Sequence, residues 1–206
     1  VNKKHKTKYF PLARKYATSM LHFKPGMALS TFSTKIEKLI QNIKKSKNEK
    51  QYIYSAYFEN RGDPGILGIA KALNTIEKYQ VLTPDMARQM LVNPQPGKRY
   101  CFMITTRLKN KQDGKALGEL YNHPKNKDGS MCQIMLASQK FNEGLDLKGV
   151  KQIHIMEPLL TQNMVQQTVG RARRYCSHSQ YPDQKDWNVT VNHYMSNIPE
   201  NESRNK

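Results

Sequence analysis

The sequence is short of cysteine, of acidic residues and of long apolar runs, and each shortage removes a class of protein. Its three cysteines, Cys101, Cys132 and Cys176, are an odd number, widely spaced, with no CxxC pair, and Cys176-Ser177-His178 is a single couplet without partners. That disfavours a disulfide framework and a structural zinc site, so no metal ligand is assigned. It suits a reducing compartment in which buried cysteine acts as a small apolar residue. No run reaches 18 apolar residues and the N-terminus lacks a signal-like apolar stretch, so no membrane partner is expected and the chain reads as soluble and intracellular. No GxGxxG follows a strand-like segment, which disfavours a dinucleotide-binding oxidoreductase. The first residue is Val rather than Met, so the chain reads as a fragment or a processed form.

Positive charge is what the sequence has in excess. Against 16 Asp and Glu stand 34 Lys and Arg, a formal balance of +18. Residues 1–50 hold 13 Lys and Arg against Glu37 and Glu49, a balance of +11 that leaves +7 for the remainder. Such a field attracts polyanions, nucleic acid first and an anionic membrane second, with a solvated end as the plain alternative. At 206 residues and 37% hydrophobic content the chain is long enough to bury a real core. Residues 1–30, basic and aromatic without a sustained period, read as an N-terminal extension or linker. Residues 31–198 read as one domain, and the polar 199–206 as a frayed tail.

Within the domain, short apolar segments alternate with helical ones. Thr34-x-x-Glu37 resembles a capping box opening a helix, with Ile36, Leu39, Ile40 and Ile43 on one face and Lys44, Lys45 and Lys47 at its close. Strands are expected at 52–58, 99–105, 131–137, 150–156 and 187–195, and helices at 66–79, 109–122 and 161–174. The turn-rich 59–65, 122–130 and 141–149 should be loops. This alternation predicts an α/β domain built on a mainly parallel sheet. His154, on the 150–156 strand, reads as a packing histidine.

On a continuous helix turning about 100° per residue, Val165, Val169 and Ala172 form an apolar stripe, while Gln167, Arg171 and Arg174 gather opposite it. Gly170 would let backbone or ligand approach closely, and Arg173 projects elsewhere. Two planar, permanently charged guanidiniums on one face suit phosphate oxygens.

Gln167-x-x-Gly170-Arg171-x-x-Arg174 resembles motif VI of the superfamily 2 helicases. Ser138, Gly144 and Asp146, within ASQKFNEGLDLKG, resemble motif V, and YIYSAYFENRG at 52–62 resembles motif IV. The three come in the family's order across about residues 33–195. HIMEP followed by QQTVGRARRYCSH is most similar to the helicase and early-transcription-factor ATPases of large cytoplasmic DNA viruses, of poxvirus and asfarvirus type.

The resemblance implies the second, C-terminal RecA-like lobe, a mainly parallel sheet with helices on both faces. Such a lobe completes an ATP site and grips nucleic acid. Arg171 and Arg174 would be arginine fingers and Gln167 would position phosphate or water. Asp146 would bind the ribose over the turn at Gly144, with Gly170 beside the nucleotide. Ser55, Thr105 and Ser138 would touch the nucleic-acid backbone, with Lys109, Lys111, Lys115, Lys125 and Lys127 widening the track. Plainer readings stand beside these: Asp146 as a turn cap, Gly144 as a positive-φ residue, strand-ending Ser and Thr as helix caps, and lysines as solvated charge.

A phosphate loop, GxxxxGK followed by Ser or Thr, and an acidic metal-binding string are missing; PGKRY and DGKAL lack the spacing. The expectation is a lobe that is inactive alone. ATP and Mg²⁺ would serve the full-length enzyme, with Mg²⁺ held by the first lobe. Its partners would be that lobe, nucleic acid (DNA over RNA) and viral transcription machinery, in the host cytoplasm or virion. The alternative is a basic nucleic-acid-binding module of RecA-like fold without an ATPase role.

Overall fold

Helix ends here follow from which side chain can reach the first free N–H groups. In the computed structural model, which describes residues 33–57, 65–95, 97–104, 111–138 and 146–196 together with Gly26 and Ala28, helix α1 spans Thr34–Lys45. Its cap is Ser33, one residue before the box expected from the sequence. The Ser33 hydroxyl accepts from Ile36 N–H at 3.2 Å, because Ser33 has the extended backbone a cap requires (φ −167°, ψ 117°) and Thr34 is already helical. Ile36, Leu39, Ile40 and Ile43 are all buried, as their spacing predicts.

After β1 (Lys50–Ser55) comes α2 (Ile66–Glu77), which stops two residues short of the expected end because Lys78 turns left-handed (φ 59°). The stretch 80–98, unassigned from the sequence, holds β2 (Gln80–Val81) and α3 (Pro84–Val92). Its start was legible: Thr83 caps Met86 N–H, Pro84 takes the first helical position and Asp85 the first turn. Then follow β3 (Tyr100–Ile104), α4 (Lys111–Asn122) and β4 (Ile134–Ser138). β4 begins three residues later than expected because Asn126 Oδ1 accepts from both Met131 N–H and Cys132 N–H, holding them in a loop. β5 (Val150–Ile155), α5 (Gln162–Gly170) and a short edge strand β6 (Thr190–His193) complete the chain.

The six strands lie in the order β2-β3-β4-β1-β5-β6, every pair parallel. Central β1 and β4 are buried along their whole length, as strands covered on both faces must be. Alternate residues feed two cores. Tyr52, Tyr54, Met135 and Ile153 pack with Ala87, Leu117, Leu120 and Val169 of α3, α4 and α5. Ile53, Ile134 and Leu136 pack with α1 and α2. Helices therefore cover both faces, which is the expected α/β architecture. Nearly all of the N-terminal extension and all of the 199–206 tail lie outside the described residues, as do 59–64 and 141–145.

Candidate functional site

Helix α5 carries Gln167 and delivers the arginines at its end. Thr161 caps it, the hydroxyl accepting from Met164 N–H at 3.2 Å. Val169 and Ala172 point into the core, as the wheel predicts. The helix stops at Gly170, however, instead of running on to Arg174. Two carbonyls just past its end are satisfied by side partners. Leu147 N–H donates to Arg171 O at 3.3 Å, and the Ser177 hydroxyl donates to Ala172 O at 3.0 Å. Arg171 keeps helical angles (φ −65°, ψ −35°), so Gln167 and Arg171 do share a side. Arg174 lies beyond the helix, in the following turn, so a common helical face is not what brings it to the site.

The turn nonetheless sets Arg174 beside Asp146. Arg174 Nη1 stands 3.5 Å from Asp146 Oδ1, and both side chains are about half exposed, 51% and 52%. α4 fixes the Asp146 loop, since Asn122 Nδ2 donates to Asp146 O at 2.7 Å and Lys148 N–H donates to Asn122 Oδ1 at 2.8 Å. Arg171 is more deeply set. It is partly buried with Nε shielded from solvent, and its charge opposes the rise that burial imposes on the Tyr52 hydroxyl. Gln167 and Arg173 are exposed. A Cβ at Gly170 would meet nothing within 4 Å, so this chain itself does not require glycine there. Gly144 and Thr105 lie outside the described residues.

The turn after the arginines is firmly held, by contacts that no local pattern announces. Gly149, at φ 67°, donates its N–H to Ser177 O at 2.7 Å, and a Cβ there would collide with Gln180 Nε2. His178 is buried between the Ser177 hydroxyl (2.9 Å) and Val150 O (2.8 Å), and burial pushes it below the usual histidine value. The Cys176–His178 couplet is thereby split, with Cys176 exposed at φ 60° and His178 inside.

A second group collects at the carboxyl ends of the central strands, where the chain order switches across β1. Ser55 and Ser138 face each other in register as the last residues of β1 and β4. Both are buried. Ser55 is turned inward, its hydroxyl 2.8 Å from Glu157 Oε1, and Ala56 N–H donates to Glu157 Oε2 at 2.9 Å. In this arrangement Ser55 presents no hydroxyl to solvent. Ser138 Oγ is buried without a hydrogen-bond partner among the described residues. Lys35 Nζ donates to Met156 O at 3.3 Å; burial lowers its pKa while the Glu157 charge opposes that. Glu157 was visible in the sequence only as the Glu before Pro158. Its role as a buried carboxylate joining β5 to the exit of β1 emerges only from the fold.

Chemically, one carboxylate and two guanidiniums at the end of α5 match the ribose hydroxyls and phosphate oxygens of a nucleotide. No family model matches the chain. A protein of Acanthamoeba polyphaga mimivirus bearing the name ATP-dependent RNA helicase is 33% identical over 90 residues, 44% of this chain and 11% of that protein. An African swine fever virus protein named termination factor NPH-I homolog is 28% identical over 181 residues, 75% of this chain and 25% of that protein. The chain thus spans a quarter or less of the length of these relatives. The solved C-terminal part of the Fun30 ATPase domain superposes with a TM-score of 0.50 at 17% identity, covering 79% of this chain and 41% of that one. By sequence the chain resembles proteins named viral helicases and NPH-I-type termination factors, and its fold is of the RecA-like α/β type, a six-stranded parallel sheet with helices on both faces.

Proposed function

We propose that this chain is the second RecA-like lobe of a nucleic-acid-dependent ATPase of viral helicase type, completing an ATP site that a first lobe opens. The observation that carries the reading is the Arg174–Asp146 pair. Two residues 28 positions apart, each matching a nucleotide-binding motif, stand 3.5 Å apart and half exposed. The donor set fits ATP, whose γ-phosphoryl transfer to water supplies the chemistry when it is bound. Asp146 then accepts from ribose hydroxyls. Arg174 leaves Asp146 to place its charge on the phosphate oxygens, and Arg171 acts from its more fixed position at the helix end. Gln167, one turn before Arg171, orients the phosphates or the attacking water. Gly170 leaves room for the nucleotide, a part that the motif also gives to Gly144. Mg²⁺ belongs to the first lobe.

Ser138, at the sheet's carboxyl edge, has a buried hydroxyl that would reach a backbone phosphate only on being uncovered, and Thr105, next in sequence after β3, is assigned to the same track by its motif position. Ser55, its hydroxyl committed to Glu157, orients that carboxylate and is not offered to the strand in this arrangement. DNA is taken as the polynucleotide because the resemblance is to ATPases of DNA viruses, and an RNA-stimulated arm of the same assay tests that choice. The relatives named termination factors support a role in viral transcription. The site of action would be the host cytoplasm or the virion; among the described residues no helix is long and apolar enough to cross a membrane.

The test is nucleic-acid-stimulated ATP hydrolysis by the complete protein. Arg174→Ala and Arg171→Ala should each lower turnover by about 10³-fold or more while nucleic-acid binding persists. This chain alone should show no stimulated turnover. Full turnover in both variants would favour instead a basic nucleic-acid-binding module that keeps the fold without using ATP.

A further inference from the structure

We infer that Tyr175 stacks on the nucleobase of the nucleotide whose ribose and phosphates Asp146 and Arg174 hold. This rests on the proposed function and adds to it a residue that neither the sequence motifs nor the relatives single out. Tyr175 is 98% exposed, more than any other large apolar side chain described. It does not ride on a loose loop. Ser177 N–H donates to Arg174 O at 3.0 Å, closing the turn around it, and Ser179 N–H donates to Cys176 O at 3.2 Å. Ser177 is bonded at its hydroxyl to Ala172 O and at its carbonyl to Gly149 N–H, while His178 fastens the turn to Val150 O. The ring is thus held out into solvent from a base pinned to the start of β5. With only two side-chain torsions, a tyrosine so mounted loses little freedom when something covers it.

The neighbours of Tyr175 decide what that cover is. Arg173 and Arg174 precede it, both exposed and permanently charged. An apolar protein surface laid over the ring would strip water from these guanidiniums without supplying an anion, which is unfavourable. A nucleotide brings a flat ring for Tyr175, oxyanions for the guanidiniums and hydroxyls for Asp146 in one molecule. Tyr175 follows Arg174 directly in the chain, Arg174 Nη1 stands 3.5 Å from Asp146 Oδ1, and no described residue covers the ring.

The experiment compares Tyr175→Ala, Tyr175→Phe and Tyr175→Trp in the complete protein, using ATP and inorganic tripolyphosphate, which has the phosphates but no base. Tyr175→Ala should raise the KM for ATP by about 5- to 150-fold, the usual range for losing one base–aromatic stack. The inhibition constant of tripolyphosphate and the nucleic-acid concentration giving half-maximal stimulation should stay unchanged, and Phe and Trp should restore the KM. An unchanged KM in the alanine variant overturns the inference. Equal weakening of ATP and tripolyphosphate overturns it in favour of lobe docking, and a shift confined to the nucleic-acid concentration assigns the ring to a base of the strand. A wild type without ATP turnover would strike the proposed function itself. Equilibrium binding of ATP against tripolyphosphate to the same variants would still report on Tyr175.

Discussion

His154 lies at the centre of a buried chain of hydrogen bonds whose direction is fixed by the acceptors at one end. Gln51 Nε2 donates to Ser46 O at 2.9 Å, which turns Gln51 Oε1 toward His154 Nε2 at 3.0 Å. His154 Nε2 therefore carries the proton, and Nδ1 accepts from the Tyr194 hydroxyl at 2.9 Å, which itself accepts from Asn42 Nδ2. Burial lowers His154 from its ordinary 6.5 to about 3. A depressed value favours the neutral ring in the folded state, so the unfolded chain takes up the proton first. The associated stability is complete above about pH 6.5 and is lost as pH falls toward 3, at about 1 kcal/mol per pH unit. Burial shifts His178 in the same direction. Denaturant midpoints should fall between pH 7 and pH 5 in the wild type and fall less steeply in His154→Asn. Parallel profiles would show that His154 is not the group taking up the proton. The reading of His154 as a packing residue needed only its place on an apolar strand. The direction of its hydrogen bonds needed four residues, Asn42 of α1, Ser46 at its end, Gln51 of β1 and Tyr194 after β6.

At the scale of elements, a helix start is a local contest between neighbouring hydroxyls. Ser33 and Thr34 both have the chemistry of a cap, and only the extended backbone at Ser33 decides between them. Ser33→Ala should cost about 1 kcal/mol by chemical denaturation, whereas Thr34→Ala, at a helical position, should change stability by a few tenths of that. The reverse order would return the cap to Thr34. Helix ends were harder to read. Nothing near 170 in the sequence stops α5: Gly170, Arg171 and Ala172 can all continue a helix. The carbonyls left free past its end are met by Leu147 N–H and the Ser177 hydroxyl, one arriving from a loop 24 residues earlier and the other from the next turn. That ending separates Arg171 from Arg174 and sends the latter to Asp146.

At the scale of the whole molecule, the excess of positive charge acts as a field, and the sheet decides what that field surrounds. If backbone phosphates supply the affinity, nucleic-acid binding should weaken by roughly 10³-fold or more between about 50 and 200 mM salt for six or more phosphate contacts. It should also depend little on base sequence. Fluorescence anisotropy with two unrelated oligonucleotides measures both, and a flat salt profile or strong sequence preference would remove the proposed track. The Arg99–Glu77–Lys44 cluster shows the opposite use of charge. There a buried carboxylate holds two cations in an ion-pair network joining α1, α2 and the start of β3.

The sequence by itself determined the fold class, the apolar faces of α1 and α2, and the identity of the basic and acidic groups in the motifs. Period and turn chemistry are local properties, each written within a dozen residues. Only the tertiary structure decided that Asp146 meets Arg174, that Arg171 sinks toward Tyr52, that Ser55 turns inward to Glu157, and that Tyr175 is left bare. Each of those outcomes depends on which distant backbone group reaches a given atom first. That is set by the crossing of loops between parallel strands, and no short stretch of chain encodes it.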